Sequence, residues 1–133
     1  MAPNPAGELN PAGRGANLRS AELRGALLVE KRLEGVQLQG ADLRGADLLV
    51  ANVRRANPRG ADLQEADLQA TDFRAADLRG ADFLEANLRG ADVQAADLDG
   101  ARLTRARYDS TTSWPEGFDP VAAGANKVRE QQP

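Results

Sequence analysis

Cysteine and histidine are both missing from this 133-residue chain. Their absence excludes disulfide scaffolds, Cys/His zinc sites, thiol nucleophiles and imidazole bases, and leaves carboxylates as the only groups for acid-base work. Aromatic residues are 4% of the chain, with one Met and one Trp, so the interior has to be small-sided and repetitive rather than built on large rings. No apolar run approaches the roughly 20 residues that cross a bilayer. Twenty acids against 17 bases leave a net charge of −3. That balance argues against a polyanion binder relying on bulk attraction and against a basic membrane-surface protein. The opening MAPNPAGELNPAG has neither a basic segment nor an apolar one of the export type, so a cytoplasmic location is expected.

What the chain does have is an internal repeat. Written in fives from Ala16 it reads ANLRS, AELRG, ALLVE, KRLEG, VQLQG and so on to ARYDS, 19 units without insertion or deletion. The first position is Ala in 16 units, the exceptions being Lys31, Val36 and Thr71, and the third is Leu in 13. A period of five falls well short of a whole number of helical turns, so the Leu stripe would wind around a helix and a straight amphipathic one is excluded. Eight units end in Gly, which suits a tight bend every fifth residue. In an extended segment positions one and three point the same way and position two the other. Short extended segments joined by sharp turns therefore bury Ala and Leu, and the chain becomes a solenoid.

These residues resemble the pentapeptide repeat family, whose pattern is A(D/N)LXX. The resemblance implies an all-β fold, a right-handed parallel β-helix of quadrilateral cross-section with four units to a coil. Residues 16–35, 36–55, 56–75 and 76–95 would then be full coils and 96–110 most of a fifth, a rod about 24 Å long at the usual inter-strand spacing. The segment TTSWPEGFDPVAAGA is similar to the tail that follows the last coil in many bacterial members. The implied organisation is a flexible segment 1–15, the β-helix 16–110, and a cap with a disordered end over 111–133.

Residues 20 apart then sit above one another, and four inward stacks follow. The first face carries Leu18, Leu38, Pro58, Leu78 and Leu98. The second carries Leu23, Leu43, Leu63, Phe83 and Leu103; the third Leu28, Leu48, Leu68, Leu88 and Tyr108; the fourth Leu33, Val53, Phe73 and Val93. Lys31 is expected to snorkel from the open end, Thr71 to satisfy its hydroxyl on a nearby carbonyl, and Pro58 to remove one ladder donor. The recurring Asp or Asn at position two invites a metal or acid-base proposal. Hydrogen bonding to turn amides accounts for it without a ligand, and no catalytic, metal or cofactor site is expected.

Three surface features stand out. Asp62, Glu65, Asp67, Asp82 and Glu85 form an acidic edge where the second and third faces meet, with only uncharged side chains expected close among them. Arg54, Arg55, Arg59, Arg74 and Arg79 form a basic strip on the opposite edge. That strip has no aromatic beside it and is interrupted by Asp72 and Asp77, so direct nucleic-acid binding is not expected. Leu27, Val29, Leu49 and Val50 are apolar at outward positions of the first two coils and predict a contact patch for a homodimer or another protein, with packing by residues 1–15 of the same chain as the alternative. At the C-terminal end Tyr108, Trp114 and Phe118 are expected to fold over the last coil as a plug. Asp119 and Pro120 are a candidate helix start for VAAGA, ahead of a disordered NKVREQQP.

The reading this favours is a non-catalytic scaffold for a protein partner. The alternative implied by the resemblance is a DNA-mimicking inhibitor or protector of a type II topoisomerase such as gyrase. The small net charge, the short chain, and Arg102, Arg105 and Arg107 at one end speak against it.

Overall fold

The computed structural model describes residues 16–129. Along the chain the second residue of a unit forms a parallel bridge to its counterpart one coil on, from Asn17 with Gln37 to Asn87 with Arg107. Each unit gives one rung because its fourth and fifth residues are spent on the turn. The only strands of two residues among the described residues are β1 (Arg107–Tyr108) and β2 (Asn126–Lys127), paired in parallel. No α-helix forms among the described residues. The stack of coils is the four-sided parallel β-helix that the repeat implies.

The backbone accounting shows why this five-residue pattern folds this way. The third residue of a unit donates to the next coil (Leu18 N to Gln37 O, 2.7 Å), the second donates back (Gln37 N to Ala16 O, 2.9 Å), and the fifth donates forward again (Ser20 N to Gln39 O, 2.9 Å). The first closes the turn, as Ala21 N donates to Leu18 O at 3.1 Å. That leaves the amide of the fourth residue, and the Asp or Asn two positions earlier takes it. All thirteen such side chains, from Asn17 to Asp97, accept this N–H on Oδ1. The Asp or Asn slot is thus a structural acceptor that satisfies the last amide of each unit that carries one. At Pro58 the ladder breaks as expected: Asn57 and Asp77 form no bridge, because Pro58 has no N–H to offer Asp77.

The inward stacks are buried as read from the sequence, and Phe73 and Phe83 meet edge to face across the coil with centroids 6.3 Å apart. Thr71 is fully buried and donates its hydroxyl to Leu48 O at 2.8 Å. Lys31 is half-buried.

Every fifth residue from Ser20 to Arg105 has a positive φ, and at ten of these positions it is not glycine. Val50, at φ 61°, is the one β-branched residue among them. A branched Cβ there carries about 1–2 kcal/mol of steric strain. Val50→Gly removes that strain at an exposed site, while adding about 0.5–1 kcal/mol of chain entropy to the unfolded state. We expect it to leave the Tm unchanged or raise it. A fall of several degrees in a thermal melt would contradict this.

The end of the rod departs from the sequence reading. Asp92 bridges Ser113 rather than residue 112, one position past the register of the other rungs. An extra residue has entered at the corner, and Thr112 donates its hydroxyl to Leu88 O at 2.8 Å just as Thr71 does to Leu48 O two coils below. Trp114 thereby follows Val93 in the fourth stack. It is partly buried, edge-on to Tyr108 at 5.4 Å and stacked with Phe118 at 5.3 Å, so the three aromatics do come together over the last coil. The corner is pinned by Asp109. Burial pushes its carboxyl up, but hydrogen bonds from the Thr111 hydroxyl and amide outweigh this and hold it below the usual carboxylate range.

Two expectations for the tail need correction. VAAGA makes a single turn and not a helix: Asp119 Oδ1 accepts from Ala122 N and Ala125 N donates to Pro120 O, after which Gly124, at φ 97°, ends it. The start of NKVREQQP, expected to be disordered, supplies β2. Asn126 N donates to Ala106 O and Val128 N to Tyr108 O, both at 2.7 Å, because the third-face edge of the last coil is otherwise unpaired. The expected flexible segment 1–15 and the final residues 130–133 lie outside the described residues.

Candidate interaction surfaces

Three of the four faces carry an ion-pair zipper. An Arg in the fourth slot grips the Asp of its own unit through two nitrogens, as Arg44 does Asp42, Arg74 does Asp72 and Arg79 does Asp77, all at 2.8–3.0 Å. The same guanidinium reaches the Asp of the coil above: Arg44 to Asp62 at 3.5 Å, Arg74 to Asp92 at 3.6 Å, Arg79 to Asp97 at 3.8 Å. Arg24 to Asp42 and Arg54 to Asp72 repeat the reach. The bidentate bond from Arg79 lowers the pKa of Asp77. Burial pushes Asp72 up, but the bonds from Arg74 outweigh it and leave this carboxyl lowered too; both guanidiniums are raised in turn.

These pairings revise the two charged edges. The acidic edge was expected to have only uncharged neighbours, yet Asp62 meets Arg44, Asp82 meets Arg102 at 3.6 Å and Glu85 meets Arg105 at 3.1 Å. Asp67 accepts from Gln69 Nε2 at 3.1 Å. Arg102 and Arg105 stand one coil directly above the acids they pair with, so the column arithmetic already contained the signal. On the opposite edge Arg54, Arg55, Arg74 and Arg79 each have a carboxylate within 4 Å, and Arg59 acts on Asp77. The rod is much less polarised than its charged columns suggest.

The third face lacks the zipper in its first two coils, where its fourth slots are Val29 and Leu49 in place of Arg. Leu27, Val29 and Val50 are 73%, 38% and 49% exposed, three of the four large hydrophobic side chains that stand exposed among the described residues; Leu49 is half-buried beside them. Asp47 sits in their midst and, among the described residues, accepts only from Leu49 N at 3.1 Å, with no arginine on it. No group of three His, Cys, Asp or Glu among the described residues is arranged to hold a metal ion, and no helix among them is long and apolar enough to cross a membrane.

The family pattern described as Pentapeptide repeats matches residues 14–48, 51–80 and 66–105 in eight copies. The chain belongs to the pentapeptide repeat family. This is a family of non-enzymatic repeat scaffolds, and the protein is accordingly not an enzyme. Among solved pentapeptide repeat structures it is similar to one from the Arabidopsis thaliana thylakoid lumen, 29% identical with a TM-score of 0.76, over 90% of this chain and 83% of that one. It is 43% identical to another from Nostoc PCC 7120 over 88% of both chains, with a TM-score of 0.38. The plasmid-mediated fluoroquinolone resistance protein QnrB1 matches 89% of this chain with 67% of its own, at 17% identity and a TM-score of 0.55, a likeness of fold alone. No curated protein matches the chain.

Proposed function

We propose that this pentapeptide repeat protein is a cytoplasmic scaffold that docks a second protein on the N-terminal half of its third face. The observation that carries this is the coincidence at one place of the exposed apolar side chains, the missing zipper and the strained Val50. Strain and exposed apolar surface are retained where they serve contact. Four side chains supply far less than the roughly 800 Å² per partner of a stable interface, so they form the centre of a contact that continues along the face through Asp67 and Gln69. The partner that fits presents an apolar group flanked by a Lys or Arg able to reach Asp47.

Val29→Asp combined with Leu49→Asp tests this, because an acidic residue is native to the same slot at Asp99 and the fold should tolerate it. Capture of the partner from the source cytoplasm should fall about tenfold or more, while Glu65→Lys with Glu85→Lys leaves it unchanged. Capture that survives the first pair removes the third face as the docking site. Capture that is lost only with the second pair transfers the site to the acidic edge. Sedimentation of the wild-type protein distinguishes a second copy of this chain from a different partner. DNA mimicry has no comparable support, since three acids of its candidate edge are paired with arginine and the QnrB1 likeness is one of fold.

A further inference from the structure

Among the described residues, chain segments cover three sides of the last coil and none covers the remaining side. Ser113 pairs with Ala91 and Val93 on the fourth face, β2 pairs with the third, and Gly124 O accepts from Arg105 N at the second. On the first face no described residue follows Ala96–Gly100. The one-residue insertion and Pro115 divert the chain into a turn, with Phe118 N donating to Pro115 O at 3.1 Å, and residue 117 never reaches the register of Asp97. Leu98 N–H, Gly100 N–H and Ala96 C=O, whose counterparts one coil below are all bonded, have no partner among the described residues. They line an open groove of about 510 Å³ bounded on its far side by Glu116 and Phe118.

We propose that this gap is a strand slot that takes a short extended segment of a partner protein with basic side chains at alternate positions. The slot repeats the geometry the rod uses between its own coils. In that register the second residue of the segment donates its N–H to Ala96 O and accepts from Leu98 N, and the fourth accepts from Gly100 N. Its third side chain faces inward over Leu98 and against Phe118. The second and fourth stand above Asp97 and Asp99, with Glu116 beside them; Arg79 reaches Asp97 from the coil below at 3.8 Å, but that carboxylate stays 56% exposed. The rod holds a precedent for the charge pairing: Arg102, in the second slot, meets Asp82 directly below it. A whole coil of another copy does not fit, because the other three sides are covered. The site is separate from the third face and rests on the scaffold reading only in taking a protein segment as ligand.

The probe is the peptide acetyl-Ala-Arg-Leu-Arg-Gly-amide, titrated into the full-length 15N-labelled protein and followed by amide NMR. The expected result is saturable shifts at Leu98 and Gly100 with slowed hydrogen exchange at both amides. Affinity should be about tenfold weaker when the first Arg of the peptide is N-methylated, which blocks its bond to Ala96 O, and about tenfold weaker for Asp97→Asn with Asp99→Asn. Asparagine is native to the second slot elsewhere, so an unchanged melt is expected for that variant and shows that the fold is kept. Equal binding of the N-methylated peptide would reduce the site to general charge attraction and overturn the strand slot, as would saturation without shifts at Leu98 and Gly100, or no binding at all. Val29→Asp with Leu49→Asp leaves this binding unchanged, so failure here is distinguishable from failure of the third-face surface.

Discussion

Truncation after Ser110 is expected to destabilise the rod by at least about 4 kcal/mol and to make it self-associate. The tail contributes Trp114 and Phe118, worth about 1.5–3 kcal/mol each if fully buried and somewhat less here, together with the ladder bonds of Ser113, Gly124 and β2 at about 1 kcal/mol apiece. Its removal uncovers Tyr108 and the upper sides of Val93 and Leu103. It also strips the strand edge at Arg107–Tyr108, and an unpaired parallel edge over an apolar core is a template for another chain. Equilibrium denaturation together with sedimentation reads both effects, and the shortened rod should show a concentration-dependent mass. A truncated protein that stayed monomeric and melted with the full chain would show that residues 111–129 lie on the rod without capping it.

The repeat makes most of this fold legible in the amino-acid sequence. A period of five with Ala and Leu two apart admits one arrangement that buries both, and the inward stacks from Leu18 to Leu103 stand where the column arithmetic puts them. Even the side roles of Thr71 and Pro58 follow from knowing which way a slot faces. Legibility ends where the period ends. The extra residue before Ser113 leaves no mark in composition, since TTSWP can be read as a twentieth degenerate unit; only the demand that Thr112 and Trp114 face inward selects the shifted register. β2 is hidden for a related reason, because Asn126 and Lys127 carry no strand propensity and are held there by the vacant edge of β1. On the surface the sequence identifies charged side chains but not their reach. A guanidinium spans the gap between coils, so opposite charges on neighbouring coils cancel, and an edge that looks acidic in a column is partly neutral in space.

The same rigidity that makes the ladder legible makes its core unforgiving. Phe73 stands in the fourth stack between Val53 and Val93, the two smaller residues that leave room for its ring, and its edge contact with Phe83 closes the middle of the rod. Phe73→Ala is expected to lower stability by about 3–5 kcal/mol. Relief by collapse is limited, because the coil spacing is fixed by bonds on either side of the vacated ring: Val53 N to Asp72 O and Phe73 N to Asp92 O, both 2.8 Å. Phe73→Leu, which restores most of the volume, should stay within about 1.5 kcal/mol of wild type. Contacts in a solenoid extend only to neighbouring coils, so Phe83→Ala should be non-additive with Phe73→Ala while Leu18→Ala, two coils away, should add to it. Urea midpoints for the four single variants and two double variants measure all of this. A loss below about 1 kcal/mol for Phe73→Ala would mean that the coils can close on the cavity, and that the ladder does not set the spacing of the core.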